Sequence, residues 1–244
     1  MEIWGKTDVG AVRRQNQDAF AMLLDEDRRI AVFIVCDGMG GARAGNVASG
    51  MAVECFMERM RKAAEGDFGD GDIIGCMSAA ITAANRAVYE KSASDESCMG
   101  MGTTLVAAAV TSDKCVVMNI GDSRAYRVTG DSIVQVTRDH SVVEDMIDRG
   151  DISRQAAREH PKKNLITRAL GTSAGETPDV FSQELREGDS LLLCSDGLSN
   201  TVEEREIFYE TAYGRDVRGS CERLIGLALA RGAPDNATVV LFRK

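Results

Sequence analysis

The sequence lacks long apolar runs and paired-cysteine motifs, and each absence narrows the class of protein. The longest uninterrupted apolar run is about seven residues, at 30–36, whereas a membrane-spanning helix needs about 20. The N-terminal stretch has no apolar core of the kind found in secretory signals. Neither a C-x-x-C pair nor a His and Cys cluster at zinc spacing occurs. We therefore expect a cytoplasmic protein that does not act in a membrane.

Cysteine and proline usage point to a single reduced domain. The chain has seven cysteines, an odd number, and most of them sit inside apolar runs. This pattern is typical of small buried hydrophobic residues in a reducing compartment. There are only three prolines, and no Ser/Gly/Pro-rich linker divides the sequence. We expect residues 1–244 to form one domain.

The charge balance argues against a nucleic-acid-binding surface. The 38 acidic and 29 basic residues give a net charge of −9, whereas a nucleic-acid surface would show a basic stripe. If a protein with this negative charge binds phosphate groups, it needs cations to neutralise the charge at the phosphate-binding site.

Hydrophobic periodicity predicts strands first, then two long helices, then strands again. The predicted helices are 46–64, 73–91 with Asp72 as N-cap, 141–150, 153–160, and two near 203–212 and 220–231. The predicted strands are 19–25, 29–36, 103–111, 114–121, a hairpin over 123–136 with its turn at 129–131, 191–196 and 237–243. Without regular βαβ alternation, this order indicates antiparallel sheets covered by helices.

Two apolar strands end in an aspartate followed by glycine, at Asp37-Gly38 and at Asp196-Gly197. A third acid, Asp235, precedes the final strand. Taken singly, each Asp-Gly pair could be an ordinary turn. Three carboxylates that converge at strand ends would repel one another unless cations lie between them. Because oxygen ligands suit hard ions, the pattern favours Mg²⁺ or Mn²⁺.

Eight sequence blocks in a fixed order carry a family resemblance. They are RRQNQD (13–18), VCDGMGG (35–41), MGTTL (101–105), NIGDSRAY (119–126), TRDHS (137–141), NLITRALG (164–171), CSDGL (194–198) and PDNATVV (234–240). Together they resemble the type 2C metal-dependent serine/threonine protein phosphatases in their compact bacterial form. The resemblance runs from about Thr7 to Val240.

The resemblance implies an α+β fold, a four-layer sandwich in which two antiparallel sheets pack face to face and helices flank them. It also implies a single phosphatase catalytic domain that includes a mobile segment at about 137–164, here called the flap segment.

The same resemblance implies a role for each of eight residues. Asp37 would bridge two Mn²⁺ or Mg²⁺ ions, with the Gly38 carbonyl on one ion and Asp196 and Asp235 on the other. Asp18 would hold metal-bound water, Arg13 would bind the substrate phosphate, and Asp122 and Asn164 would hold a weaker third ion.

The implied reaction is hydrolysis of phosphoserine and phosphothreonine in proteins by water or hydroxide bridging the two ions. The expected partners are phosphorylated proteins, including a serine/threonine kinase that the enzyme opposes in signalling, and the expected state is a monomer.

Two positions depart from the family pattern. Gln17 replaces a glutamate of many members, which predicts weaker metal binding. Met39 replaces a histidine that acts as general acid in animal members.

Several alternatives compete with these interpretations. Cys55 and Arg61 have the C-x₅-R spacing of cysteine phosphatases, but no glycines form a phosphate-binding loop there. Residues 139–141 (Asp-His-Ser) contain the triad residue types, although sequence neighbours rarely orient one another as a triad does. The segment 38–45 lacks the Lys-Ser/Thr of a P-loop. Arg13 could also be half of a solvated pair with its neighbour, and Asp122 a plain turn residue.

Two other functional classes remain open from the sequence. One is a pseudophosphatase that binds phosphoproteins without turnover. The other is a metal phosphatase for a different substrate class, such as an anti-sigma partner. The complete acid set favours an active enzyme, and Arg13 with the GDSR block favours the general phosphoprotein type.

Overall fold

The computed structural model of the chain describes residues 1–66, 68 and 72–244, leaving aside the side chains of residues 41–43 and 158. The strands are β1 (Glu2–Asp8), β2 (Asp18–Asp25), β3 (Ile30–Met39), β4 (Gly102–Thr103), β5 (Leu105–Val110), β6 (Cys115–Ile120), β7 (Arg124–Val128), β8 (Ile133–Gln135), β9 (Asp179–Gln183), β10 (Ser190–Cys194) and β11 (Ala237–Arg243). The helices are α1 (Gly41–Glu65), α2 (Ile73–Ser94), α3 (Val142–Asp148), α4 (Arg154–Arg158), α5 (Asp196–Ser199), α6 (Glu204–Ala212) and α7 (Val217–Ala230), with a short 3₁₀ turn at Glu96–Cys98.

The strands form two sheets in which every paired neighbour is antiparallel. One sheet has the order β1-β11-β10-β7-β8, and the other has the order β2-β3-β5-β6-β9 with β4 paired to the end of β3. Strands β3 and β5 and strands β10 and β11, the central pairs, are almost entirely buried. Their near-continuous apolar sequences follow from burial on both faces.

Three apolar clusters define the layers of the sandwich. The central cluster lies between the two sheets, where Phe33 of β3 stacks on Phe242 of β11 with ring centroids 5.7 Å apart. A second cluster packs α1 and α2 against the outer face of the sheet that contains β3. A third packs α6 and α7 against the outer face of the other sheet. The result is the predicted four-layer α+β sandwich.

Most predicted elements are confirmed, with adjusted ends. Helix α1 begins at Gly41 instead of residue 46, and Asp72 caps α2 by accepting from the Gly75 N–H at 2.9 Å. The predicted hairpin turn is closed by the Thr129 N–H donating to the Ser132 carbonyl at 2.9 Å. Five of the seven cysteines are buried and the other two half-buried, in keeping with their apolar surroundings.

Two strands were absent from the sequence prediction. Strand β1 has the sequence EIWGKTD and β9 has DVFSQ, and both lie at sheet edges, half-buried or exposed along their length. Edge strands need no continuous apolar pattern, because one face and one hydrogen-bonding side meet solvent. Whether such a segment forms a strand therefore depends on the strand that it pairs with. No helix in the described part of the chain is long and apolar enough to cross a membrane.

The contact between the two sheets generates a stability prediction. Phe242 is fully buried against Phe33, so Phe242→Ala should lower the free energy of unfolding by about 3–5 kcal/mol. Tyr209→Ala is the control, since Tyr209 is 62% exposed and should change that free energy by less than about 1 kcal/mol. Urea unfolding followed by circular dichroism measures both. Equal losses in the two variants would contradict the assigned core.

Candidate active site

Asp37 stands near the end of β3, where its backbone is held by two threonines. Its N–H donates to Thr104 Oγ1 at 2.9 Å, and its carbonyl accepts from the Thr104 N–H at 2.8 Å and from Thr103 Oγ1 at 2.9 Å. These bonds use the peptide groups on both sides of the residue, so the carboxylate projects from a fixed backbone.

The glycines that follow Asp37 and Asp196 are each required by a close approach of two backbone segments. A Cβ atom at Gly38 would overlap the carbonyl of Gly45 near the start of α1. At Gly197 it would overlap the carbonyl of Asn236, in the turn that leads into β11. The repeated Asp-Gly pair therefore marks two places where another segment packs directly on the backbone beside an acid. Sequence alone could not separate this reason from an ordinary turn.

Asp196 and Asp235 enter the site from the other sheet. Asp196 begins the short helix α5 directly after β10, and its Oδ2 accepts from Asn200 Nδ2 at 3.1 Å. Asp235 precedes β11, and its Oδ1 accepts from the Asn236 N–H at 2.8 Å. Its Oδ2 accepts from the Arg13 guanidinium at 2.8 Å. Arg13 and Asp235 are thus neighbours in the site, which the sequence did not indicate.

Asp18 lies behind Asp37 and not in the cavity wall. The two residues face each other in the β2–β3 register. Asp18 Oδ2 accepts from Ser195 Oγ at 2.7 Å and from Thr238 Oγ1 at 2.6 Å. These two hydroxyls come from the other sheet, so Asp18 links the sheets directly beneath the site.

The remaining predicted residues converge on one cavity of about 550 Å³. Its lining includes Arg13, Asp37, Gly38, Asp122, Asn164, Asp196 and Asp235, together with Arg14, Met39 and Asn236. Every predicted site residue except Asp18 therefore borders the same space.

The crowding of carboxylates shows in their pKa values. Loss of water contact raises the pKa of Asp37 well above its usual range, and the charges of Asp18 and Asp196 raise it further. Burial raises the pKa of Asp122 to about 8, with smaller contributions from the neighbouring acids. Burial likewise raises the pKa of Asp18 to about 6, although its two hydroxyl partners oppose the shift. Burial, followed by the charge of Asp235, raises the pKa of Asp196. The site holds more negative charge than it can stabilise alone.

The donor set fits hard divalent cations. Asp18 Oδ1 and Asp196 Oδ1 are buried oxygens with no hydrogen-bond partner in the described part of the chain. Oxygen ligands of this kind suit Mg²⁺ and Mn²⁺, and a cation would relieve both the repulsion and the missing bonds. In the side-chain arrangement described, no three His, Cys, Asp or Glu groups already form a complete metal-binding cluster. In this arrangement Asp235 is in contact with the Arg13 guanidinium.

Asp122 and Asn164 lie towards the flap segment. Asp122 sits in the β6–β7 turn, and it borders a second cavity of about 650 Å³ that also contacts Asp196. Helices α3 and α4 of the flap segment form one wall of this second cavity. The ends of the segment are joined, since the Val142 N–H donates to the Leu165 carbonyl at 2.9 Å. Its mobility stays a prediction.

The residues of the triad-like sequence have separate structural tasks. Asp139 forms a two-pronged ion pair with Arg124, with a shortest distance of 2.7 Å. His140 Nδ1 accepts from the Gly121 N–H at 3.0 Å, and Ser141 Oγ caps α3 at the Glu144 N–H. Cys55 packs against the α1–α2 core and does not border the site cavity. Neither nucleophile alternative is assembled.

Sequence reasoning missed the residues that hold the acids in place. They are Thr104 beside Asp37, Ser195 and Thr238 around Asp18, and Asn236 beside Asp235. All four occur inside the quoted blocks, so their positions were visible. The partners of Thr104, Ser195 and Thr238 were not, because those three contacts depend on how distant strands align.

Comparison with known proteins places this geometry in a family. A family model described as Protein phosphatase 2C matches residues 11–223. The chain is 36% identical over 239 residues to the serine/threonine phosphatase stp of Listeria innocua, covering 98% of this chain and 94% of that protein. The crystal structure of the serine/threonine phosphatase Stp1 from Staphylococcus aureus superposes with a TM-score of 0.91 at 33% identity, covering 100% and 94% of the two chains.

A further solved structure contains metal. It is the catalytic domain of the serine/threonine protein phosphatase PstP in complex with two manganese ions, with a TM-score of 0.85 at 34% identity. The alignment covers 98% of this chain and 96% of that one.

The close approach at Gly197 generates a second prediction. Gly197→Ala should lower the free energy of unfolding by about 1–3 kcal/mol, because the added methyl group must displace the Asn236 carbonyl. Gly226→Ala in α7 is the matched control, since no described atom beyond its own helical backbone and chain neighbours lies within 4 Å of the new Cβ. It should stabilise the protein by about 0.5–1 kcal/mol. Urea midpoints for the two variants should move in opposite directions, and movement in the same direction would refute the packing assignment.

Proposed function

The chain belongs to the protein phosphatase 2C family and is a metal-dependent serine/threonine protein phosphatase, and we propose that its chemistry occurs in the cavity bordered by Asp37, Asp196, Asp235 and Arg13. The observation that carries this assignment is the convergence of four half-buried carboxylates and two arginines on a single space, with Arg13 in contact with Asp235. Carboxylates supply ligands for cations, and the guanidinium supplies donors for a phosphate group.

Asp37, Asp196 and Asp235, with the Gly38 carbonyl, would hold two Mn²⁺ or Mg²⁺ ions. When bound, such a pair would lower the pKa of a coordinated water molecule and neutralise the charge of the phosphate group. Asp18 would hold water from beneath the site, because Ser195 and Thr238 occupy one of its oxygens and the other has no hydrogen-bond partner among the described residues. Asp122 and Asn164 would hold a third, weaker ion at the flap side.

Arg13 would bind the phosphate of the substrate. It reaches into the cavity from the β1–β2 loop and is 52% exposed, so its side chain is free to exchange Asp235 for an incoming anion. A guanidinium presents paired N–H groups that match two phosphate oxygens.

Met39 borders the cavity where animal members carry a histidine, and its thioether has no proton to donate to the leaving group.

The substrates are phosphoproteins, and the proposal extends to a serine/threonine kinase among them, whose signalling this enzyme would oppose. We also propose a single catalytic domain over residues 1–244, a mobile flap segment, a monomeric state and a cytoplasmic location. Net charge of −9 and the absence of a basic stripe support a protein substrate over nucleic acid.

A direct test uses p-nitrophenyl phosphate and a phosphothreonine peptide. Hydrolysis should disappear after EDTA treatment and return when Mn²⁺ is added, because the carboxylates alone supply no cation. Hydrolysis that persists after EDTA and exhaustive dialysis would refute the metal mechanism. A protein that binds the phosphopeptide but never hydrolyses it under Mn²⁺ would instead be a pseudophosphatase.

Two variants separate metal binding from phosphate binding. Asp196→Asn removes a negative charge from the cluster, so Mn²⁺ affinity should fall and kcat should drop by roughly 100-fold or more, with partial rescue at high Mn²⁺. Arg13→Ala leaves every carboxylate in place, so Mn²⁺ affinity should not fall. The loss of a charge-assisted contact should raise KM for the phosphopeptide by roughly 10- to 100-fold, without rescue by Mn²⁺.

Calorimetric titration with Mn²⁺, together with steady-state kinetics, distinguishes a loss of metal binding from a loss of phosphate binding. Arg61→Ala is the control for removing an arginine, since Arg61 is an exposed residue of α1 outside the cavity lining. In Arg61→Ala, the Mn²⁺ affinity and the KM for the phosphopeptide should both match those of the unmodified protein. If Arg13→Ala loses metal while Asp196→Asn retains it, the two roles have been assigned to the wrong residues.

A further inference from the structure

The side-chain amide of Asn236 lies between the two limbs of the loop that joins β1 to β2. We call this loop, residues 9–17, the Arg13 loop. Asn236 is 4% exposed, and its Nδ2 donates to the Val9 carbonyl at 2.9 Å and to the Gln15 carbonyl at 3.1 Å. Its Oδ1 accepts from the Gln17 N–H at 2.8 Å. Both amide donors and the acceptor are therefore used, and all three partners are backbone groups of one loop.

These bonds hold both ends of the segment that carries the cavity's arginines. Val9 is on the outgoing limb, Gln15 and Gln17 are on the returning limb, and Arg13 and Arg14 lie between them and border the cavity. Several other hydrogen bonds also anchor the loop, and two of them join it to the turn before β11 and to β1. The Ala11 N–H donates to the Ala233 carbonyl at 3.0 Å, and Asn16 Nδ2 donates to Thr7 Oγ1 at 2.8 Å. Through its side chain, Asn236 connects the two limbs to each other.

The same residue is also fixed to the metal-binding side of the site. Its backbone N–H donates to Asp235 Oδ1 at 2.8 Å, and its carbonyl packs directly on Gly197, beside Asp196. One buried residue, Asn236, therefore fixes the position of the Arg13 loop relative to Asp196 and Asp235.

We propose that Asn236 is a positioning residue that fixes the Arg13 loop, so that the Arg13 guanidinium is aimed into the cavity before substrate arrives. This inference rests on the proposed role of Arg13 in phosphate binding. Ordering a loop costs conformational entropy. When the loop is ordered before substrate arrives, substrate binding does not have to supply that free energy. Loss of the Asn236 amide should therefore weaken substrate binding through Arg13, although Asn236 itself need not touch the substrate.

The first test measures loop order without any catalytic readout. Trypsin cleaves after arginine, and Arg13 and Arg14 report on the tip of the Arg13 loop. In Asn236→Ala, cleavage at these two residues should be at least about fivefold faster than in the unmodified protein, because local opening governs proteolysis of a folded chain. Mass spectrometry of the fragments identifies the site. Cleavage at an unchanged rate would overturn the proposal.

The matched control is another buried asparagine that bonds backbone groups of a loop. Asn85 is 2% exposed, its Nδ2 donates to the Ser173 carbonyl at 3.0 Å, and its Oδ1 accepts from the Gly171 N–H at 2.8 Å. Asn85→Ala should lose comparable stability in urea and yet leave cleavage after Arg13 and Arg14 unchanged. Equal acceleration in both variants would show a general effect of destabilisation, and the proposal would fail.

The second test is a double-mutant cycle on phosphopeptide hydrolysis with saturating Mn²⁺. Asn236→Ala alone should raise KM roughly tenfold. In the Arg13→Ala background it should cost less than about twofold, because the guanidinium it positions is already gone. The same fold loss in both backgrounds would indicate a merely structural role and overturn the proposal. Asn85→Ala should instead contribute the same factor in both backgrounds.

The design separates failure of this inference from failure of the proposed function. If Arg13→Ala leaves KM unchanged, the phosphate-binding role of Arg13 is wrong, and the trypsin result alone then decides whether Asn236 orders the loop. If Asn236→Ala does not fold, Asn236→Ser replaces it, since a serine hydroxyl is too short to join the two limbs. The expected results for that variant are the same.

Discussion

Repulsion between carboxylates is the constraint on which the rest of this site depends. Asp18, Asp37, Asp122 and Asp196 are each partly withdrawn from water, and burial together with the neighbouring negative charges raises their pKa values. A folded protein that gathers acids in this way gives up stability locally, and a bound cation would relieve the repulsion between them. The two-sheet core, with its stacked Phe33 and Phe242, supplies the rigid frame that holds them together.

The frame works through backbone contacts more than through side-chain packing near the site. Thr103 and Thr104 hold the peptide groups around Asp37, and the glycines after the acids allow the start of α1 and the turn before β11 to pack against the strand ends. Because β3 belongs to one sheet and β10 and β11 to the other, face-to-face packing brings their ends to the same place. The acids meet at the seam between the sheets.

Hydrogen bonds across this seam give the two sheets different tasks. One sheet presents Asp37 with Asp18 behind it, and the other presents Asp196 and Asp235 and donates the hydroxyls that hold Asp18. The β1–β2 loop then brings a positive charge to a site dominated by negative ones, and Asn236 connects that loop to Asp235. In the proposed function, cation binding and phosphate binding use separate segments that border the same cavity.

The sequence by itself determined the order of the helices and central strands, the acids at the strand ends and the family. Apolar periodicity and the Asp-Gly pairs are local properties, and eight ordered blocks are specific enough to indicate a fold. Edge strands β1 and β9 escaped prediction because their burial is set by their neighbours. Only the tertiary structure decided that Ser195 and Thr238 hold Asp18, that Arg13 meets Asp235 and that Asn236 joins the loop limbs. These partners lie 177 to 227 residues apart, and such contacts depend on strand register and sheet packing, which no local pattern encodes.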